Sequence, residues 1–395
     1  MIRIKVIFII TLIITACARA PLAKLSDAMR PDSAPQLGDD LKLENLSNAL
    51  SAQIEFFSRQ DQGRIMSFGP RKITVADYAA ALKPLAEAIS AGDAGRFYQI
   101  IENNFDFYEV YGQPRWGEVL VTSYYEPVLL GDTTPGELFS QPLYRKPTDL
   151  LKLDLRLFQP DIVETRKHRA RLDNDKVLPY YSRKEIDSDG ALAGRGLEIC
   201  WVDPVEAFFL HIQGSGTVVL PSGQELRLTY ADKNGLPYRS IGVDIRQALP
   251  PESKISADVI RNFLINVSAE EKRSYMNKNE SYVFFTVSDT GAITSSGIPA
   301  TAGRTIATDT RFFPKGALAF LEFEKPVYRS NSDPYPEDSE KASRFVIDQD
   351  AGGAILGGGR VDLFWGRGDD AGRYAGRVNS RGKLWYLLPK SATRG

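Results

Sequence analysis

The chemistry on offer in this chain is carboxylate chemistry. "DAGGAILGGGRVDLFWG", from Asp350 to Gly366, sets two aspartates among six glycines and ends in a large apolar run. Asp362 lies between Val361 and Leu363-Phe364, neighbours that can desolvate a carboxyl and keep its proton on. The alternatives thin out quickly. With only two histidines, His168 and His211, a histidine-rich metal site and HExxH are excluded. "HIQGSGT" has the wrong spacing for a GxSxG nucleophile elbow, and there is no phosphate-binding Gly-rich loop. The two cysteines, Cys17 and Cys200, cannot make a cysteine-rich zinc site. No metal and no cofactor are expected.

A carboxylic acid beside aromatic rings suits glycan cleavage: the acid protonates the glycosidic oxygen, and the rings lie along sugar faces. Tyr124, Tyr125 and Glu126 in "SYYEP", and Phe364 and Trp365 beside Asp362, have this character. Any single ring is more often a core residue. The binding candidates are Tyr125 and Trp365 for sugar faces, and Gln213 and Ser215 for hydroxyl and acetamido groups. Gly214 and Gly216 would allow close backbone approach; a strand-end turn with a buried Gln213 is the competing reading. Asp309 in "ATDTRFFPKG" and Asp350 in "QDAGG" sit near turns, where aspartate commonly accepts from backbone N–H groups, so a site-supporting role is favoured for both.

Seven stretches in order, "VTSYYEPVL", "PYYSRKEI", "EAFFLHIQGSG", "YADKNGLPYRSIG", "MNKNESYVFF", "TAGRTIATDTRFFPKG" and "DAGGAILGGGRVDLFWGRGDDAGRYAG", together resemble the membrane-bound lytic murein transglycosylase A family. They run from about Val121 to Pro389. Residues after Ile306 also resemble the three-aspartate domain, its trio here being Asp309, Asp350 and Asp362. The resemblance implies a mainly β fold with some α: a double-psi β-barrel domain (41–140 plus 285–395, with the three-aspartate region at about 300–395), interrupted by a smaller inserted β-barrel domain (141–284). It implies a glycan groove between them, Asp362 as the catalytic residue, and a peptidoglycan lytic exotransglycosylase that cuts the MurNAc–GlcNAc bond without water. Two rivals stay open. An inverting hydrolase would use Asp350 or Asp309 as base, and a non-catalytic lipoprotein would only bind glycan.

The elements that must position these residues follow a clear course. "LKLENLSNALSAQIEFF" has helical spacing, "TVADYAAALKPLAEAIS" opens on a Thr74 cap with Pro84 set to kink or interrupt it, and "DAGRFYQIIENNF" opens on Asp93. From Gly117 the texture turns to short strands. "GTVVLPSGQELRLTY" reads as a hairpin, helices start near Ser256 and at Ser268 (with Glu271 completing a capping box), and the last third is strand-rich. Residues 329–342 read as a polar loop.

The whole chain has 395 residues, 43% hydrophobic and 25% charged, with a net charge of −1. That is ordinary globular composition with no basic stripe for nucleic acid. Arg3 and Lys5 precede an apolar run, Val6–Ala16, suited to a signal peptide over residues 1–16. "ITAC" resembles the bacterial lipobox, with Cys17 as the lipidated first residue and 17–40 as a tether. Ala18, in place of Asp, points to the periplasmic face of the outer membrane. Cys200 then has no partner and is expected in the core. Peptidoglycan strands and the outer membrane are the expected partners of a monomer.

Overall fold

The computed structural model describes residues 27–390 except 113–114, 163–167, 251–254, 290, 331–332 and 334. The signal segment, Cys17 and the first part of the expected tether lie outside the described residues. The remainder of that segment does not behave as a tether. Met29–Asp32 form β1, which pairs antiparallel with residues 107–110. The Trp385 indole donates to Asp32 at 2.8 Å. The fully buried Arg304 puts two donors on the Asp39 carboxylate (2.6 and 3.0 Å), and Arg344 does the same to Asp40 (2.6 and 2.9 Å). Composition alone could not reveal that these aspartates answer buried arginines far along the chain.

Helix α1 (Glu44–Ser58), the hairpin β2 (Ile65–Phe68) and β3 (Arg71–Thr74), α2 (Val75–Ser90) and α3 (Ala94–Asn104) form a layer packed on the main barrel. The caps fall where the sequence sets them: Thr74 accepts from Asp77 N at 3.0 Å, and Asp93 from Arg96 N at 2.8 Å. Pro84 does not interrupt α2, which is assigned unbroken through it. Proline inside a helix costs about 3 kcal/mol, but Tyr78, Leu82 and Leu85 are fully buried, and each such side chain contributes about 1.5–3 kcal/mol.

β4 (Phe105–Val110) and β5 (Glu118–Glu126) enter the main sheet. At Pro127 the chain crosses into a second body, before the boundary expected at 141. β6 (Val128–Asp132) and β7 (Gln141–Tyr144) already belong to that body. β8 (Leu151–Leu153), β9 (His168–Asp173) and β10 (Lys176–Pro179) make a small separate sheet. Then come α4 (Arg183–Asp187), β11 (Glu198–Val202), α5 (Pro204–Gln213) and the expected hairpin of β12 (Gly216–Val219) and β13 (Glu225–Lys233). α6 (Gly242–Arg246), α7 (Ala257–Asn266, capped by Ser256), α8 (Ala269–Asn277, with its Ser268–Glu271 capping box) and β14 (Val283–Ser288) complete the insert. Its six strands run β14-β13-β12-β6-β11-β7, and a bridge between Arg145 and Phe285 brings the two edges together. Cys200 is buried in its core.

The return supplies β15 (Thr305–Ala307), β16 (Ala317–Val327), β17 (Asp338–Asp350), β18 (Arg360–Arg367), α9 (Gly368–Ala375) and β19 (Asn379–Pro389). The order is β1-β4-β19-β16-β17-β15-β18-β5, and β19 pairs with β5 as well. The strands β5, β19, β16, β17, β15 and β18 thus close into a ring, and Val119, Val121, Leu318, Phe320, Ile347 and Leu363 on its strands belong to one continuous buried core. Two of its pairings, β15–β17 and β18–β5, are parallel. A mainly β chain with one barrel inserted into another is the architecture implied by the resemblance. The polar loop expected at 329–342 is shorter, because β17 begins at Asp338.

Candidate active site

Asp362 sits in β18 between two neighbours, opposite Thr122 of β5 and Ala307 of β15. Alternation sends Val361 and Leu363 into the fully buried barrel core. Asp362 and Phe364 take the other face, where the Phe364 ring packs on Tyr124 with centroids 5.2 Å apart. Thr122 Oγ1 donates to Asp362 Oδ1 at 2.7 Å; among the described residues Oδ2 has no hydrogen-bond partner. Burial pushes the Asp362 carboxyl up to about 6. The Thr122 hydrogen bond and the Arg360 charge pull it down, and the Asp350 charge raises it further. Such a group can carry a proton near neutral pH and give it up again.

The other two aspartates are held differently. Asp350 Oδ1 accepts from Ser295 N (2.7 Å) and Ala351 N (2.8 Å), and Oδ2 accepts from the Tyr124 hydroxyl at 2.6 Å. Burial first, then the Asp350 charge, keep the Tyr124 phenol protonated well beyond its ordinary range, so it remains a donor. Ala307 is the register partner of both Asp350 and Asp362. Two strand spacings of about 4.8 Å put the two aspartate backbones roughly 10 Å apart. Asp309 accepts from Arg311 N (3.0 Å), the Arg311 guanidinium and Gly357 N (2.7 Å). Burial raises its carboxyl, but Arg311 and these N–H groups overcome that and hold it below the usual carboxylate range. Gly357 makes its contact from φ +89°, where a side chain would be strained, and a Cβ on Gly358 would stand 2.8 Å from the Tyr111 carbonyl oxygen. The glycine run therefore lets backbone close over Asp309.

The expected binding residues separate into two groups. Tyr125 and Gln213 come together at the junction of the barrels, where Tyr125 N donates to Gln213 Oε1 at 3.3 Å. The Tyr125 ring lies against α9, so close that a Cβ on Gly372 would be 2.7 Å from it. The expected strand-end turn at "HIQGSG" is the end of helix α5. Asp203 caps its start through Val205 N and Glu206 N (2.8 and 3.1 Å), Pro204 opens it, and Gly214 ends it at φ +82°. Ser215 is buried. A Cβ on Gly216 would come 2.4 Å from Leu210, so that glycine serves helix–strand packing. Trp365 is placed elsewhere. It packs toward the main core, stacks on Tyr374 (5.5 Å, 10°) beneath Arg344 (5.0 Å), and lines a cavity of about 370 Å³ with Lys325, Tyr328 and Leu41.

Thr122, Arg360 and Asp348 went unread in the sequence, whereas Tyr124 and Glu126 were marked there only for their aromatic and acidic character. Thr122, Tyr124 and Arg360 share the face of Asp362, and period-two alternation along "VLVTSYYE" and "RVD" carried that signal. Asp348 is a further carboxylate, fully buried and bonded to Lys315 (2.7 Å), Thr308 (2.6 Å) and Tyr386 (2.6 Å). Glu126, also buried, accepts from Thr217 Oγ1 (2.8 Å) and Ala292 N (2.9 Å), one residue before the crossing at Pro127.

Comparison with known proteins bears on this arrangement. The "MltA specific insert domain" matches residues 120–286, and the "3D domain" matches residues 304–388. The membrane-bound lytic murein transglycosylase A of Vibrio cholerae is 30% identical over 288 residues, 72% of this chain and 69% of that one. A Buchnera aphidicola homolog of the same enzyme is 26% identical over 88% of this chain and 86% of its own. The crystal structure of a membrane-bound lytic murein transglycosylase from Agrobacterium tumefaciens superposes with a TM-score of 0.75 at 29% identity, covering 92% of this chain and 98% of that one. Two barrels of this topology, the two matched domains and that degree of shared sequence place the chain in the membrane-bound lytic murein transglycosylase A family.

Proposed function

We propose that this protein cleaves the MurNAc–GlcNAc β-1,4 bond of peptidoglycan without water, with Asp362 acting first as acid and then as base. The observation that carries the reading is the state of Asp362: a partly buried carboxyl pushed up to about 6, with one oxygen free of hydrogen bonds among the described residues. Protonated Asp362 gives its proton to the glycosidic oxygen as the C1–O bond breaks, which releases the GlcNAc hydroxyl. The 6-hydroxyl of the same MurNAc attacks C1, and its proton passes to the Asp362 carboxylate. The acid is restored, and a 1,6-anhydro ring is left.

The inverting alternative needs a second carboxylate free to activate water. Asp350 is occupied by three donors and Asp309 by Arg311 and backbone N–H groups, which disfavours both as bases. The non-catalytic alternative leaves the elevated carboxyl at Asp362 without a role. Digestion of purified sacculi decides among the three. Anhydro muropeptides support the proposal, products one water heavier indicate hydrolysis, and no release indicates a binding protein.

We further propose that Cys17 is lipidated, that the protein lies at the periplasmic face of the outer membrane, and that it acts as a monomer. The lipobox-like "ITAC" supports the first two. Incorporation of labelled fatty acid into the wild type but not into Cys17→Ser is the expected result; equal labelling would refute it.

A further inference from the structure

Arg360 stands two residues before Asp362 on the same face of β18. Its Nη2 donates to Thr122 Oγ1 at 3.4 Å, and that hydroxyl donates to Asp362 Oδ1 at 2.7 Å. A threonine hydroxyl has one proton. With a guanidinium on its oxygen, the hydroxyl is oriented to point that proton at the carboxylate. The buried arginines here are answered by aspartates: Arg183 by Asp187, Arg304 by Asp39 and Arg344 by Asp40. Among the described residues Arg360 has no carboxylate within ion-pair distance, and its Nε is buried without a partner. An unpaired charge and an orphaned donor beside an acid cost stability. Their effect falls on the nearest carboxylate, one hydroxyl away.

We propose that Arg360 is a positioning residue of the reaction: it orients the Thr122 hydroxyl and stabilises the carboxylate that Asp362 becomes once its proton has left. The inference rests on the reading of Asp362 as the acid. A single group that donates and then recovers a proton must not hold it too firmly. Burial and the Asp350 charge favour the protonated form, whereas Thr122 and Arg360 favour the carboxylate. The titratable and charged groups facing Asp362 are Arg360 on β18, Asp350 on β17 and Tyr124 on β5, and β15 contributes only Ala307.

The test is the pH profile of glycan-strand cleavage by the full chain, with variants Arg360→Gln, Arg360→Lys and Thr122→Val. Loss of the charge makes Asp362 a weaker acid. In Arg360→Gln the alkaline limb of kcat/KM should therefore move up by roughly half to one pH unit, and kcat should fall about tenfold with KM changed less than about twofold. Arg360→Lys should return the limb most of the way to its wild-type position, and Thr122→Val should move it upward. An unmoved limb in Arg360→Gln, or a loss confined to KM, overturns the proposal. If Arg360→Gln does not fold, Thr122→Val decides, and an unchanged profile there refutes it. Asp362→Asn is run alongside: activity within about tenfold of wild type in that variant sinks the assignment of the acid, whatever Arg360 does.

Discussion

Asp362 is held in a form that suits chemistry better than stability. Its folded carboxyl titrates at about 6, above the ordinary value of 3.8. The folded state therefore binds this proton more tightly than the unfolded chain. The associated stability is present below about pH 4 and is lost as pH rises through about 6. Asp362→Asn should thus raise the melting temperature at pH 7, by an amount equivalent to up to about 3 kcal/mol, and the gain should vanish at pH 4. Thermal melts at the two pH values check this, and a variant less stable than wild type at pH 7 contradicts it. The same substitution should cut cleavage by at least about 10²–10⁴-fold, measured as anhydro-muropeptide release. As a general acid, Asp362 should also give a kcat/KM that declines above about pH 6. The aspartate itself was legible in "RVDLFW" through the family resemblance. Its neighbours Thr122 and Arg360 were not: alternation gives each strand its faces, but the parallel register of β5 with β18 that brings Thr122 beside Asp362 joins residues about 240 positions apart.

Elements with local start and stop signals were the readable ones. Thr74, Asp93, Ser256 and Ser268 cap the helices they were expected to cap, since a cap depends on residues within one turn. Helix α5 carried the same signals in Asp203-Pro204 and Gly214, but its run of large apolar residues obscured them. Trp365 stands apart from Asp362 for a related reason: one residue of phase decides which face of a strand a side chain takes. The N-terminal segment shows the opposite limit, since its partners are distant in sequence. Asp39→Ala leaves the fully buried Arg304 without a counter-ion, and a loss of about 3–5 kcal/mol is expected in urea denaturation. Adding Arg304→Met should restore much of it; a double variant no better than the single one would refute the ion-pair account.

At the scale of the molecule, two barrels share two crossings, one at Pro127 and one through Ala292 and Ser295. Glu126 touches both sides of the junction and Asp350 fastens the second crossing. The insert has its own acid sensitivity. His211 is buried, Arg183 lies 3.0 Å from its Nδ1, and burial followed by the Arg183 charge holds its imidazole well below 6.5. Because the unfolded chain takes up this proton more readily, stability should fall as pH drops below about 6.5, and His211→Gln should blunt the slope. Denaturation midpoints between pH 5 and 7 test this; an unchanged slope in the variant excludes His211 as the cause.

The packing of residues 29–40 also defines a load path. A pull applied upstream of residue 27 reaches β1, whose antiparallel bonds to β4 lie along the edge of the main sheet, and then the Asp39–Arg304 pair. Arg304 leads directly into β15, the strand that borders Asp362. Tension on the N-terminus would thus meet a strand edge and a buried ion pair before it reached β15, beside Asp362. Those contacts stand between the N-terminal segment and the strand beside Asp362.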